Sequence, residues 1–354
     1  MPFSATLTLA FVLAAPPAGQ TLKAPALLPG DTVGLVAPAS ALARARVEAA
    51  VRNIQKCGFI VRLEHPGKRR GYLAADDEGR AAAFNRLIYN PSVKAIICLR
   101  GGYGSPRILD RIDYAALRKR PKIIVGYSDI TALLIAVRQK TGLVTFHGPM
   151  GNEWGAQRGL SHFSNKYYLE ALGNPATPLL EDWGGERAGG MRAPITIVGG
   201  EAEGVLVGGN LSVICSTMGT PYEIDTRGSI LFLEEVAEKP FRVDRMLNQL
   251  RLAGKLQQAR GILLGAFPGC QSRDASELAL SEVFMDYFVP LGVPVLYEFP
   301  AGHVPDHAIL PLGVRMRLDA RAGKLTLLEP PVQPAGDRKT ASRTPAPRES
   351  NGER

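Results

Sequence analysis

Three side chains that can together activate a hydroxyl stand far apart in the chain, each just beyond an apolar run. Ser128 follows Ile123-Ile124-Val125-Gly126-Tyr127, Glu234 closes Ser229-Ile230-Leu231-Phe232-Leu233, and His303 follows Pro300-Ala301-Gly302 after the run at 293–297. A serine hydroxyl is a poor nucleophile at neutral pH and needs a general base. The base needs a carboxylate that fixes its tautomer and stabilises the imidazolium. Spacing alone does not bring the three together, and each has a plainer reading. Ser128 with Asp129 suits a helix cap, His303 a satisfied loop histidine, and Glu234 a solvated carboxylate. Two neighbours compete for the same roles: Glu235 for the carboxylate and His307 for the base. His147, beside Gly148-Pro149, reads as structural.

The elements that must position these residues are legible around Ser128. Ile130, Leu133, Leu134 and Val137 recur at helical spacing directly after it, and Gly142 supplies a stop. Strand, tight turn and helix therefore put Ser128 at an apex, where helical N–H groups such as that of Asp129 lack internal acceptors and can hold an oxyanion. The shape resembles a nucleophile elbow, but as Gly-x-Ser-Asp-Ile rather than the hydrolase Gly-x-Ser-x-Gly. Upstream, apolar strands at 32–37, 59–63 and 95–99 alternate with amphipathic helices, which implies a parallel sheet with right-handed crossovers. Ligands of such sheets bind beyond the carboxyl ends of the strands. Arg100-Gly101-Gly102-Tyr103-Gly104 sits at one such end. It is neither a dinucleotide fingerprint nor a Walker loop. It reads either as a flexible turn or as a donor of backbone N–H groups, Gly102 among them, beside Ser128.

A second set of elements begins near residue 195. Strands are expected at 204–207, 229–233, 261–264 and 293–297, a helix after Gly208-Gly209-Asn210, another with Val243, Met246, Leu247 and Leu250 on one face, and a closing hairpin over 312–318 and 324–328. The organisation expected is a leader or disordered segment over 1–26, an α/β domain over 27–150, a linker over 151–194, a second domain over 195–329 and a disordered tail over 330–354. The linker holds both tryptophans, Trp154 and Trp183, and a helix near 167–172.

Composition narrows the function. The 354 residues are 45% hydrophobic and 21% charged, ordinary globular material. The formal charge of +9 comes from scattered Lys and Arg without stacking aromatics. This argues against a nucleic-acid partner and suits a substrate with free carboxylates. Cys57, Cys98, Cys215 and Cys270 are too dispersed for a disulfide frame or a zinc site and read as free thiols of a reducing compartment. No His-x-x-x-His helix supports a zincin. No cofactor is expected. The apolar run at 5–15 has signal-peptide length but no preceding Lys or Arg, and is too short to span a bilayer. A cytoplasmic protein without stable membrane association is expected, or a periplasmic one if residues 1–20 are a signal.

Taken in order, the motifs resemble the LD-carboxypeptidases, serine peptidase family S66, which include the microcin C self-immunity peptidases. The match runs through Pro29-Gly30-Asp31, Gly71-Tyr72-Leu73-Ala74, Arg100-Gly101-Gly102-Tyr103-Gly104 and Gly126-Tyr127-Ser128-Asp129-Ile130-Thr131. It continues through His147-Gly148-Pro149-Met150, Gly208-Gly209-Asn210-Leu211, Gly219-Thr220-Pro221-Tyr222, Leu231-Phe232-Leu233-Glu234, Gly302-His303 and Leu310-Pro311-Leu312-Gly313. The resemblance implies two α/β domains: an amino-terminal parallel-sheet domain with a nucleophile elbow, and a mixed carboxyl-terminal domain of the swivelling type. It implies Ser128 as nucleophile, Glu234 as orienting carboxylate and His303 as base, with an oxyanion hole from the backbone of Gly102 and Asp129. It implies no metal, a homodimer, and removal of D-alanine from the L-centre of diaminopimelate in a murein tetrapeptide during cell-wall recycling. The sequence after His303, Val304-Pro305-Asp306-His307-Ala308, is looser than the family pattern. An immunity-type peptidase acting on peptidyl or aminoacyl nucleotides is the alternative within the fold, and an aromatic lid such as Trp154 would favour it. A non-catalytic nucleotide- or peptide-binding protein is the alternative outside it.

Overall fold

The computed structural model describes residues 21–335, except 158, 174–192, 273 and 275. The apolar run at 5–15, Trp183 and the tail beyond 335 lie outside the described residues. Two sheets carry the chain. The first holds β1 (Thr32–Val36), β2 (Ile60–Leu63), β3 (Val93–Cys98), β4 (Ile123–Gly126) and β5 (Thr145–His147), all parallel. The second holds β6 (Ile195–Val198), β7 (Glu201–Asn210), β8 (Ser229–Glu234), β9 (Gly261–Leu264) and β10 (Val295–Tyr297). β11 (Leu310–Leu312) crosses back to the first sheet, and β12 (Arg315–Asp319) and β13 (Lys324–Leu327) complete the second. Their orders are β11-β5-β4-β3-β1-β2 and β13-β12-β7-β8-β9-β10-β6. β7 through β10 run parallel, while β6, β11, β12 and β13 are antiparallel to their neighbours. This is the two-domain α/β architecture expected, a parallel-dominated sheet beside a mixed one.

The inner strands β4, β8 and β9 are largely unbroken, buried apolar runs, because both faces of a parallel sheet are covered. Helices α1 (Arg44–Lys56), α2 (Asp77–Tyr89), α3 (Tyr114–Lys119) and α4 (Thr131–Thr141) connect them. Asp76 caps α2 by accepting from Gly79 N at 2.7 Å, and Gly142, in the left-handed conformation, ends α4 as its sequence requires. Alternation along β8 decides how the sheets meet. Leu231 and Leu233 pack with the helices over Pro240–Leu252 and Leu280–Phe288, while Ile230 and Phe232 join a core continuous with the first sheet. Glu234 has the parity of Ile230 and Phe232. It therefore faces the first domain.

Three boundary expectations change. Helices α5 (Gly151–Trp154) and α6 (His162–Gly173) fall within the expected linker but bury Trp154, Tyr168 and Leu172 in the first core, as part of that domain. The hairpin expected from 312–318 and 324–328 forms from β12 and β13, but its first arm starts later, since Leu312 belongs to β11 and pairs with β5. Residues 24–26 and 331–333, placed by sequence in a leader and a tail, meet each other. Ala26 N donates to Gln333 O at 2.8 Å, Gln333 N donates to Ala24 O at 2.9 Å, and Ala24, Ala26 and Val332 are buried. A short apolar segment that pairs its backbone and buries its side chains escapes composition-based reading. Among the described residues no helix is long and apolar enough to cross a membrane.

Candidate active site

The carboxyl ends of β4, β8 and β10 bring the sequence-selected residues to one crevice. Ser128 opens a 3-10 turn, Ser128–Ile130, that leads into α4. Its φ of 59° is left-handed. That conformation costs a non-glycine residue ~1–2 kcal/mol, and such outliers gather at functional sites. Gly101 lies directly against it: a Cβ added there would stand 2.9 Å from Ser128 Cβ, 3.1 Å from its Oγ and 3.2 Å from Asp129 N. The approach of the glycine loop to the hydroxyl therefore requires glycine at 101. Asp129 is the second residue of its turn, so its N–H has no acceptor within the turn. Gly102 packs on Ser40, whose Oγ accepts from Tyr103 N at 3.2 Å and whose N–H donates to Gly101 O at 3.1 Å.

On the second domain, His303 Nδ1 lies 2.7 Å from Glu234 Oε2. A carboxylate only accepts, so Nδ1 carries the proton and donates, leaving Nε2 with its lone pair. Glu234 is fully buried and His303 is 20% exposed at its side chain, which leaves the imidazole reachable from the crevice. Gly302, with φ of 113°, permits this pairing, because a Cβ there would stand 2.8 Å from Glu234 Oε2. Burial lowers the imidazole's affinity for a proton. The hydrogen bond to Glu234 and the charges of Glu234, Glu235 and Glu153 outweigh that, and the His303 pKa lies above its ordinary value. The ring of Tyr127, the residue before Ser128, stands edge-to-face against His303 with centroids 4.9 Å apart. The imidazole is thus beside the serine turn, across the junction between the two domains.

The competing residues separate. Glu235 accepts from Asn210 Nδ2 at 3.0 Å, Ser212 N at 2.8 Å and Val236 N at 2.9 Å, which commits it to the turn after β7. Burial pushes its carboxyl up against those bonds. His307 is buried behind Tyr127, at 4.8 Å between centroids, and burial together with the charge of His303 brings its pKa down to about 3. It stays neutral and has no opening to the crevice. His147 is also buried, against Phe232 at 4.9 Å, and burial holds it neutral. Trp154 does not wall the crevice. It is 3% exposed and packs edge-to-face on Tyr168 at 5.5 Å inside the first domain. The cysteines are free thiols, and burial raises all four.

Sequence reasoning missed the residues that brace the turn. Asp129 Oδ2 accepts from Ser105 N at 2.7 Å, and Ser105 Oγ donates to Asp129 O, so the glycine loop is tied to the serine turn. Burial pushes the Asp129 carboxyl up against the pull of those bonds. Arg80, wholly buried, donates to Pro38 O, to Gly104 O at 2.7 Å and to Asp77, clamping the loops that follow β1 and β3. Tyr127 Oη donates to Glu153 Oε1 at 2.9 Å. Ser40 was findable, since it follows the first strand as Ser128 follows the fourth. Arg80 was not, because nothing local distinguishes a buried arginine on a helix. A hydroxyl, an imidazole with a free nitrogen, a buried carboxylate and nearby backbone amides are the parts that acyl transfer needs.

The profile of the LD-carboxypeptidase N-terminal domain matches residues 33–148 and that of the C-terminal domain matches residues 203–318. A probable murein peptide carboxypeptidase of Bacillus subtilis is 40% identical over 310 residues, covering 87% of this chain and 94% of the relative. The structure of a muramoyltetrapeptide carboxypeptidase from Oxalobacter formigenes superposes with a TM-score of 0.74 at 31% identity, over 84% of this chain and 97% of that one. MccF in complex with glutamyl sulfamoyl guanosine superposes at 0.81 with 27% identity, over 88% of this chain and all (100%) of that one.

Proposed function

The chain belongs to the LD-carboxypeptidase family, and from that premise we propose that it is a serine carboxypeptidase releasing the terminal D-alanine of murein tetrapeptide by a Ser128–His303–Glu234 relay. The observation that carries this reading is the 2.7 Å contact of His303 Nδ1 with buried Glu234, set beside a left-handed serine. His303 Nε2 takes the Ser128 proton as Oγ attacks the carbonyl before the terminal residue. The N–H groups of Gly102 and Asp129 receive the oxyanion. Glu234 stabilises the imidazolium, which then protonates the departing D-alanine amine. Water, deprotonated by His303, releases the tripeptide from Ser128. This proposal needs no metal, and it extends, by family resemblance, to a homodimer acting in peptidoglycan recycling.

The relative solved with a nucleotide-like ligand raises a second reading, hydrolysis of peptidyl nucleotides. The tryptophan offered as its aromatic lid is packed inside the first domain, which favours the murein reading. An alkyl fluorophosphonate distinguishes both enzymes from a binding protein. It should label Ser128, identified by peptide mass, and murein tetrapeptide should protect against labelling. Labelling elsewhere, or none, contradicts the assignment.

A further inference from the structure

A cavity of about 870 Å3 lies between the domains, at the far end of two elements that carry the candidate site. Leu134 and Ile135 of α4 line it from the first domain, and Val205 and Val207 of β7 from the second. The two valines alternate with Leu206, which is fully buried on the other face of the strand. From Arg138 in the cavity, α4 leads back to the turn of Ser128. From Ser229 in the cavity, β8 leads forward to Glu234. Each path covers ~15 Å at the rise of a helix or strand. None of Ser128, Glu234 and His303 is among the described lining residues, so this is a second place where both domains meet one open volume.

The charges of its lining do not balance. Lys23, Arg138, Arg227 and Arg315 stand against Asp225 and Glu329. Both carboxylates are engaged, Asp225 by Arg227 at 2.7 Å and Glu329 by Lys23 at 2.7 Å, and Arg315 pairs with Glu203 at 3.2 Å. Arg138 makes no ion pair with a described residue. Its Nη1 donates to Gly142 O, at the end of its own helix, at 3.0 Å. The fold makes room for this guanidinium: a Cβ at Gly313, whose φ is 101°, would stand 2.5 Å from Arg138 Nε and 2.7 Å from its Cζ. Burial pulls the Arg138 pKa down, partly opposed by the charge of Glu329, so an anion brought to the guanidinium would relieve its desolvation. Cavities that hold a whole small ligand have ~300–1,000 Å3, and this one lies in that range. A guanidinium fork matches a carboxylate or phosphate, and the aliphatic walls match an apolar body. We propose that this cavity is a binding site for a small organic anion, whose carboxylate or phosphate pairs with Arg138 and whose apolar body lies between α4 and β7. The site stands independently of the carboxypeptidase reading, and its ligand touches both domains at once.

The probe is anilinonaphthalene sulfonate, an apolar anion whose fluorescence rises out of water, titrated into the full chain. One molecule should bind per chain. Octanoate and octyl phosphate should displace it, while octyltrimethylammonium, of equal chain length and opposite charge, should not. The anion that displaces it at the lower concentration identifies the head group. Arg138→Leu keeps an apolar stem and should weaken binding of the probe by roughly tenfold or more, the worth of one charge-assisted hydrogen bond. A cooperative thermal transition shows that the variant is folded. Should Arg138→Leu not fold, Val205→Trp, which fills the cavity from β7, carries the same expectation. No rise in fluorescence, displacement by the cation at the concentrations at which the anions act, or unchanged affinity in the folded variant overturns the proposal.

Discussion

At Ser128 a side chain is kept where the backbone favours none. Glycine adopts φ of 59° freely, so Ser128→Gly should abolish turnover yet raise stability by about 1 kcal/mol, measured by urea unfolding. A loss of stability would mean that the hydroxyl is structural. Glu234 and Glu235 are adjacent, and β-strand alternation sends them to different partners. Glu234→Gln should lower kcat by roughly a hundredfold or more, by analogy with other triads. Glu235→Gln should act mainly on stability, because its bonds go to the backbone of Ser212 and Val236. The pH profile separates the two variants further. In the proposed relay neutral His303 is the active form, and its pKa is raised above the ordinary 6.5, so activity should fall as pH drops through a value above 6.5. In Glu234→Gln the charge of Glu234, the main raising influence, is gone, while burial and the charges of Glu235 and Glu153 remain. The acid limb should therefore move to lower pH even as kcat falls. A limb that stays in place would detach Glu234 from the base.

At the scale of elements, the strand ends were legible and the braces were not. An unbroken branched run ending at glycine marks β4, and helical periodicity directly after Ser128 fixes the turn between it and α4. The choice of Glu234 over Glu235 came from the family resemblance of the Leu-Phe-Leu-Glu run, since strand alternation alone says only that the two face opposite ways. What no window of sequence contains is the contact between loops, such as Asp129 with Ser105 or Arg80 with Pro38 and Gly104. Those pairs depend on which strands lie side by side. Arg80→Met tests the clamp. It fills similar space but leaves two carbonyls and Asp77 without their donor, so a loss of about 3–5 kcal/mol is expected in urea unfolding. A change below about 1 kcal/mol would show that the loops hold their places unaided.

At the scale of the molecule, the proposed relay is divided between two sheets that the chain stitches twice. β11 returns from the second domain to pair with β5, and the segments at 24–26 and 331–333 bind each other outside either expected domain. Both stitches escaped the sequence reading because a three-residue strand, Leu310–Leu312, and a six-residue composition shift carry no periodicity of their own. A chain ending at 329 should melt a few degrees below one ending at 335, since it loses two backbone hydrogen bonds and the buried Val332. Equal melting temperatures would show that this pairing adds nothing. The stitching bears on the proposed relay because it fixes the domain that carries Ser128 beside the one that carries His303, whose ring meets Tyr127. The most direct measurement of the central claim is the release of D-alanine from purified murein tetrapeptide in the presence of EDTA, by wild type and by Ser128→Ala. The account predicts tripeptide and D-alanine in equal amounts from the wild type and none above background from the variant. Release by both, or release by the wild type that EDTA abolishes and zinc restores, would contradict it.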